Sequence, residues 1–270
     1  MTDPVSYSAD PLPEASVRSA RELALALGVP PEFVLRGVAA LRDGRNGRPA
    51  GNGDDGAAIL LRQLAEALES RARGAWKPIP EEIWLDTLKC YPRFVSEHRR
   101  SYGRDGFDRY RWTVRQAAAK LFRVGELEYE LDRLTPEEKA VSLHIPSDAR
   151  LEPDRLNASL RMADSFLRTY FPDWADKKRI CESWLLSPKL RDLLPPSSRI
   201  LRFQRAFDPV ETDPEDDSAL EWVFYVAGGQ REGLDVRTLP EVTALQKSMK
   251  ALLLSGEKPG SARGVLARPF

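Results

Sequence analysis

Apolar residues recur at helical spacing through the first hundred positions and switch to strand-like alternation after residue 120. Val17, Leu23 and Leu27 fall on roughly one face of a helix over Glu14–Leu27, and Gly28 followed by Pro30 supplies its stop. A second short helix is expected over Pro31–Leu41. A third covers Ala57–Arg71, with Leu60, Leu61, Leu64 and Leu68 on its buried stripe. Pro80 and Glu81 open a fourth, which keeps Ile83, Trp84, Leu88 and Tyr91 in register. Pro92 should end or kink it, with Phe94 and Val95 continuing the same surface. Between the second and third helices, RDGRNGRPAGNGDDG is rich in glycine and nearly devoid of apolar residues, which makes it a loop or linker. It is not a phosphate cradle: no strand precedes it and no Gly-Lys-Ser/Thr follows. Residues 1–13 read as a loose lead-in.

In LFRVGELEYEL, Leu121 to Leu131, the alternation predicts a strand with Leu127, Tyr129 and Leu131 on one face. Glu126, Glu128 and Glu130 share the other. After a turn at Thr135–Glu137 comes AVSLHIPSD, with Val141, Leu143 and Ile145 on one face and Ser142 and His144 opposite. Pro146, Ser147 and Asp148 form a turn, and an amphipathic helix follows from Pro153 to Phe171, closed by Pro172. RICESWLLSP then reads as a second strand, completing a βαβ unit with parallel or near-parallel strands. PKLRDLL predicts a short helix. ILRFQRAF and EWVFYV predict an antiparallel hairpin around the acidic loop ETDPEDDS. A last helix is expected over Glu241–Leu254 and a short strand over Gly264–Ala267. The fold class is α+β: a mostly helical domain over residues 1–134, then a mixed sheet flanked by helices over residues 135–270.

Charge narrows the partners. Lys plus Arg and Asp plus Glu balance at 41 each, so the net charge is zero and a general polyanion binder is disfavoured. One local feature runs the other way: Arg99, Arg100, Arg104, Arg109, Arg111 and Arg115 interleave with Tyr102, Phe107, Tyr110 and Trp112, the mixture single-stranded nucleic acid uses. Asp105 and Asp108 dilute it, and the simpler role for these arginines is to anchor the helical part through carboxylates or to meet a phosphate. No nucleic-acid partner is expected. No apolar run approaches the ~18 residues of a membrane span, and the acidic, proline-bearing start is not a secretory signal. With two cysteines and two histidines in the chain, a zinc site would need all four, at spacings that match no zinc motif. The expectation is a soluble cytoplasmic protein without membrane partner or metal and with reduced thiols.

Four segments carry a resemblance: GFDRYRWTVRQAAAKLFRVGELEYEL, VSLHIPSDARL, CESWLLSPKLRDLLPPSSRILRFQRAF and LPEVTALQKSMKALLLSGEKPGSARGVL. They resemble a bacterial family of acyltransferase-like proteins with an N-acyltransferase-type N-terminal domain and a GNAT-like C-terminal domain, GNAT being the Gcn5-related N-acetyltransferase superfamily. The likeness covers about residues 80–266; the first 75 match less well. It implies a GNAT-type sheet and an acyl-CoA donor, with the strand ending near Ile145 splaying from the one beginning near Ile180. Pantetheine would lie in that gap. The pyrophosphate would meet the helix start at Ile145, Ser147, Asp148, Ala149 and Arg150. The superfamily's Gln/Arg-x-x-Gly-x-Gly/Ala loop is replaced here by the glycine-free PSDARLEP, in which Asp148 repels a diphosphate and Arg150 attracts one.

The candidate chemistry follows. His144, on a polar strand face at the proposed cleft, suits a general base because an imidazole titrates near working pH; a sheet histidine bonded to a neighbour such as Asp148 is the alternative. Glu128, central among the three glutamates, is the second candidate base, against three carboxylates that simply face water. Cys181 shares a side of its strand with Ser183, but no histidine is near in sequence to activate the thiol, and a buried cysteine is ordinarily a small apolar residue. Trp184 and Trp222 read as core aromatics. The reaction implied is transfer of an acyl group from acyl-CoA to an amine of a small molecule by direct attack. The alternative is a GNAT-shaped module that binds a ligand or a protein without catalysis.

Overall fold

The computed structural model describes residues 10–45 and 55–270. Most of the expected lead-in, and all but the two ends of the expected glycine-rich loop, lie outside them. The chain divides into two units, Met1–Arg123 and Val124–Phe270.

The first unit is helical: α1 (Glu14–Leu27), α2 (Pro31–Arg42), α3 (Ala57–Arg73), α4 (Glu81–Leu88), α5 (Cys90–Tyr102) and α6 (Tyr110–Ala117). α3 is its axis. Every residue from Ala57 to Ala65 is buried, and α1, α2 and α6 pack around it. A side chain is excluded where α2 meets it: a Cβ on Gly37 would stand 2.6 Å from the Ala57 carbonyl oxygen. Gln63 on α3 is wholly buried, and its amide ties three helices together. It donates to the Tyr110 carbonyl at 2.7 Å and accepts from the Tyr91 hydroxyl at 3.2 Å and the Thr113 hydroxyl at 2.5 Å. A buried amide is tolerated when its donors and acceptors are met in this way. Pro92 interrupts the run as expected: α4 stops at Leu88, the carbonyl a helical residue 92 would bond, and α5 restarts at Cys90 with Pro92 in its first turn.

β1 (Leu121–Val124) carries the chain across the boundary between the units. It is followed by β2 (Leu127–Arg133), β3 (Lys139–His144), α7 (Pro153–Tyr170), α8 (Pro172–Ala175), β4 (Arg179–Ser183), α9 (Leu190–Leu193), α10 (Arg199–Gln204), β5 (Phe207–Asp213), α11 (Ala219–Phe224), α12 (Ala244–Leu254) and β6 (Ser261–Leu266). The strands form a mixed sheet in the order β1-β2-β3-β4-β6-β5. β2 and β3 are antiparallel, β3 and β4 parallel, and β6 runs antiparallel to both β4 and β5.

Several expectations change. LFRVGELEYEL is two strands, broken at Gly125 (φ 68°), so Glu126 lies in the turn and not beside Glu128 and Glu130. ILRFQRAF is mostly helix α10, started by the Ser198 hydroxyl accepting from the Ile200 N–H at 3.2 Å. EWVFYV is likewise helix α11. Its buried residues Ala219, Leu220, Val223 and Phe224 have the spacing of a helix face, which an almost unbroken apolar run hides. The predicted hairpin between them does not exist: β5 pairs with β6, more than forty residues on. Trp222 is exposed, whereas Trp184 packs against the cluster of Leu190, Leu201, Leu220, Val223 and Met249. The last strand extends over Ser261–Leu266 and lies inside the sheet, between β4 and β5.

One hydroxyl holds α7 onto the sheet. Ser159, on the buried face of α7, accepts from the Leu127 N–H at 3.2 Å, lies 2.9 Å from the Tyr129 hydroxyl, and donates to the Val124 carbonyl. Ser159→Ala removes the side-chain partner of the buried Leu127 amide and of the Val124 carbonyl. The variant should lose about 1–3 kcal/mol of unfolding free energy, read from urea denaturation at an unchanged m-value.

Candidate active site

β3 and β4 pair at only two positions, Val141 with Arg179 and Ser142 with Ile180. Past them, β3 stays on β2, with Leu143 opposite Tyr129 and His144 opposite Glu128. β4 stays on β6, with Cys181, Glu182 and Ser183 opposite Gly264, Arg263 and Ala262. The two central strands therefore part company toward their C-terminal ends, each held by its outer neighbour. The C-terminal ends of parallel strands are where sheets of this kind receive ligands.

One face of the β2–β3 ribbon carries a polar ladder. The Ser142 hydroxyl donates to Asp132 at 2.8 Å, and His144 Nε2 lies 2.9 Å from Glu130 Oε2. Glu128, opposite His144 in register, is only 2% exposed. The sequence predicted His144 on the polar face of its strand and Glu128 on the glutamate face of another, and the antiparallel register sets the two on one face of the ribbon. The pairing of His144 with Glu130 cannot be read from the sequence, because the partner lies diagonally along the antiparallel ladder and not directly across from it. Which atom donates depends on the imidazole tautomer; in the Nε2–H form the ring donates to Glu130 and leaves Nδ1 as an acceptor.

The turn after β3 has chemistry the sequence did not reveal. Ile145 is half-buried, Ser147 and Asp148 are exposed, and Arg150 is exposed at the approach to α7. The Ala149 N–H donates to the Pro146 carbonyl at 2.9 Å, closing the turn. The Arg150 N–H donates at 2.9 Å to Oε2 of Glu126, whose Oε1 accepts from Arg155 at 2.9 Å. Arg199, at the start of α10, pairs with Glu152, the residue preceding α7, at 2.9 Å. Three arginines and two carboxylates thus gather where the helix begins.

Cys181 is fully buried, and burial pushes its thiol well up, with the neighbouring Glu182 adding to the effect. Such a thiol holds almost no thiolate at neutral pH and makes a poor nucleophile. In the arginine-rich segment, Arg99 grips Asp105 through two bonds of 2.6 and 2.8 Å, and Arg115 stacks over Trp112. Among the described residues, no group of three or more His, Cys, Asp or Glu is placed to hold a metal ion, and no helix is long and apolar enough to cross a membrane.

Comparison with known proteins bears on this geometry. Residues 16–119 match the N-acyltransferase N-terminal domain and residues 121–266 match the GNAT-like C-terminal domain. The first part of the chain, expected to match less well, is thus covered from residue 16 onward. No curated protein matches the sequence. Among solved structures, the chain is similar to an acyltransferase in complex with decanoyl-CoA, at 27% identity and a TM-score of 0.78 over 93% of this chain and 88% of that one. It is similar as well to an acyltransferase in complex with CoA and 10C-teicoplanin, at 25% identity and a TM-score of 0.73 over 100% and 91% of the two chains. A mutant acyltransferase in complex with octanoyl-CoA shares the fold, with 24% identity and a TM-score of 0.78 over 100% and 91%. The chain belongs to the acyltransferase family in which an N-acyltransferase N-terminal domain is joined to a GNAT-like C-terminal domain.

Proposed function

We propose that this chain transfers an acyl group from an acyl-CoA to an amine of a small molecule by direct attack. The observation that carries the reading is the parting of β3 from β4 after Ser142 and Ile180, beside the His144–Glu130 pair. An extended pantetheine arm can lie along the inner edges and use their backbone groups as a third strand would. The likeness to acyltransferases crystallised with decanoyl-CoA and with CoA plus 10C-teicoplanin supports a CoA thioester donor and a small-molecule acceptor.

In this mechanism Ile145 and the turn residues Ser147, Asp148, Ala149 and Arg150 flank the donor. Backbone N–H groups near Ile145 polarise the thioester carbonyl. The acceptor nitrogen attacks that carbon, and its proton passes to Nδ1 of His144, directly or through one water. Glu130 stabilises the imidazolium. The tetrahedral intermediate then expels the CoA thiolate, which takes up a proton, leaving the amide. Glu128 is the second candidate for the base. Direct attack is favoured over an acyl-cysteine route because the only thiol near the gap, Cys181, is buried and poorly ionised.

Isothermal titration with acetyl-, octanoyl- and decanoyl-CoA should give saturable heat with at least one donor. Silence with all three, at concentrations able to detect ~100 μM binding, overturns the reading. His144→Ala should lower kcat by about 10²–10⁴-fold with donor affinity retained. Glu130→Gln should cost about tenfold, the loss of a partner to the imidazolium. If His144→Ala and Glu128→Gln both leave turnover unchanged, the base lies elsewhere. Cys181→Ala should keep turnover within about threefold, and intact-mass spectra under turnover should show no acyl adduct on the wild-type protein.

A further inference from the structure

We infer that Glu126 is a built-in competitor for the donor's phosphates: its carboxylate occupies the anion position at the turn before α7, and a bound diphosphate must displace it. The inference rests on the reading of the chain as an acyl-CoA-dependent enzyme and concerns how tightly the donor is held.

The turn 146–150 replaces a glycine-rich loop with PSDAR, and its backbone N–H groups are already engaged at two positions. Ala149 donates to Pro146 within the turn. Arg150 donates instead to Glu126, twenty-four residues earlier in the chain, at 2.9 Å. The second oxygen of the same carboxylate accepts from Arg155 in the first turn of α7, also at 2.9 Å. One anionic group thus bridges a backbone amide and a guanidinium at the start of an eighteen-residue helix, the combination of donors that a phosphate oxygen seeks. The Glu126 side chain is only 15% exposed, whereas Arg155 keeps half of its surface in solvent. The cation is therefore the more open of the two to a second anion.

The position of Glu126 makes exchange feasible. It stands next to Gly125 in the tight turn between β1 and β2, not on a strand, so its side chain can swing without breaking a ladder. Glu126 and Asp148 would each oppose a diphosphate; Arg150, Arg155 and Arg199 would each attract it. When the phosphates arrive, Arg150 N–H and Arg155 change partners and Glu126 turns to water. When CoA leaves, Glu126 returns, which weakens donor and product alike and favours release of spent CoA. A purely structural tie between the β1–β2 turn and α7 predicts the opposite result: loss of Glu126 loosens the turn and weakens binding.

The test compares wild type with Glu126→Gln and Glu126→Ala by titration with CoA, with ADP and with a phosphate-free acyl-pantetheine, after thermal melts confirm folding. Both variants should bind CoA and ADP about five- to thirtyfold more tightly, the effect of removing one like charge from a partly shielded site. Acyl-pantetheine affinity should not change. Arg155→Gln should weaken CoA binding, and the gain from Glu126→Gln should shrink in its presence. Unchanged or weaker CoA binding by folded Glu126 variants, alongside a wild type that binds CoA, overturns the inference alone. Equal tightening toward acyl-pantetheine overturns it too, because the effect would not involve phosphates. If neither wild type nor variants bind any CoA species, both the inference and the donor assignment fall. If Glu126→Ala does not fold, the Glu126→Gln and Arg155→Gln pair decides by the same criteria.

Discussion

The site depends on a disagreement between neighbouring ladders. A parallel pair such as β3 and β4 would ordinarily zip along its length, because each unmade backbone hydrogen bond in a buried sheet costs free energy. Here the antiparallel partners on either side win after two positions: β2 keeps hold of His144, and β6 keeps hold of Ser183. The outer pairings hold the two strands where they no longer pair with each other.

Everything around that opening fixes the two arms. α7 is the crossover that makes β3 and β4 parallel, and Ser159 fastens it to the β1–β2 turn through three polar contacts. β6 arrives from the far end of the chain to sit between β4 and β5, so the second arm is completed only by residues after 260. Gln204 braces the segment after β4. Its amide donates to the Ser187 carbonyl at 2.7 Å and accepts from Arg191 at 3.0 Å. These are long-range contacts made by short polar side chains, and they hold backbone positions that apolar packing alone would leave loose.

The β2–β3 ribbon and the turn that precedes it give like carboxylates different partners. Asp132 is spent on Ser142, Glu130 on His144, and Glu126 on the turn before α7. Three acidic side chains with one chemistry acquire three tasks from their place along a ribbon and its turn. Of the three, Glu130 is the one whose carboxylate meets an imidazole, that of His144.

Much of this was legible in the residues. Helical periodicity located α1, α2, α3 and α7 closely, and the alternation in AVSLHIP put Ser142 and His144 on one face of β3, because a strand's period of two fixes faces whatever it pairs with. The sequence likewise identified the turn after β3 and its lack of glycine. It misread ILRFQRAF and EWVFYV as strands, since an almost continuous apolar run does not distinguish a buried helix from a strand. It joined two strands across Gly125, a glycine that only the backbone conformation reveals as a turn. What tertiary structure alone decided was partnership: which edge of β3 stays paired, that β6 lies between β4 and β5, that Glu130 meets His144, and that Glu126 reaches Arg150 and Arg155. Periodicity is a local property of the chain and survives in the sequence. Register and cross-strand contact depend on residues far apart in sequence, and folding alone brings them together.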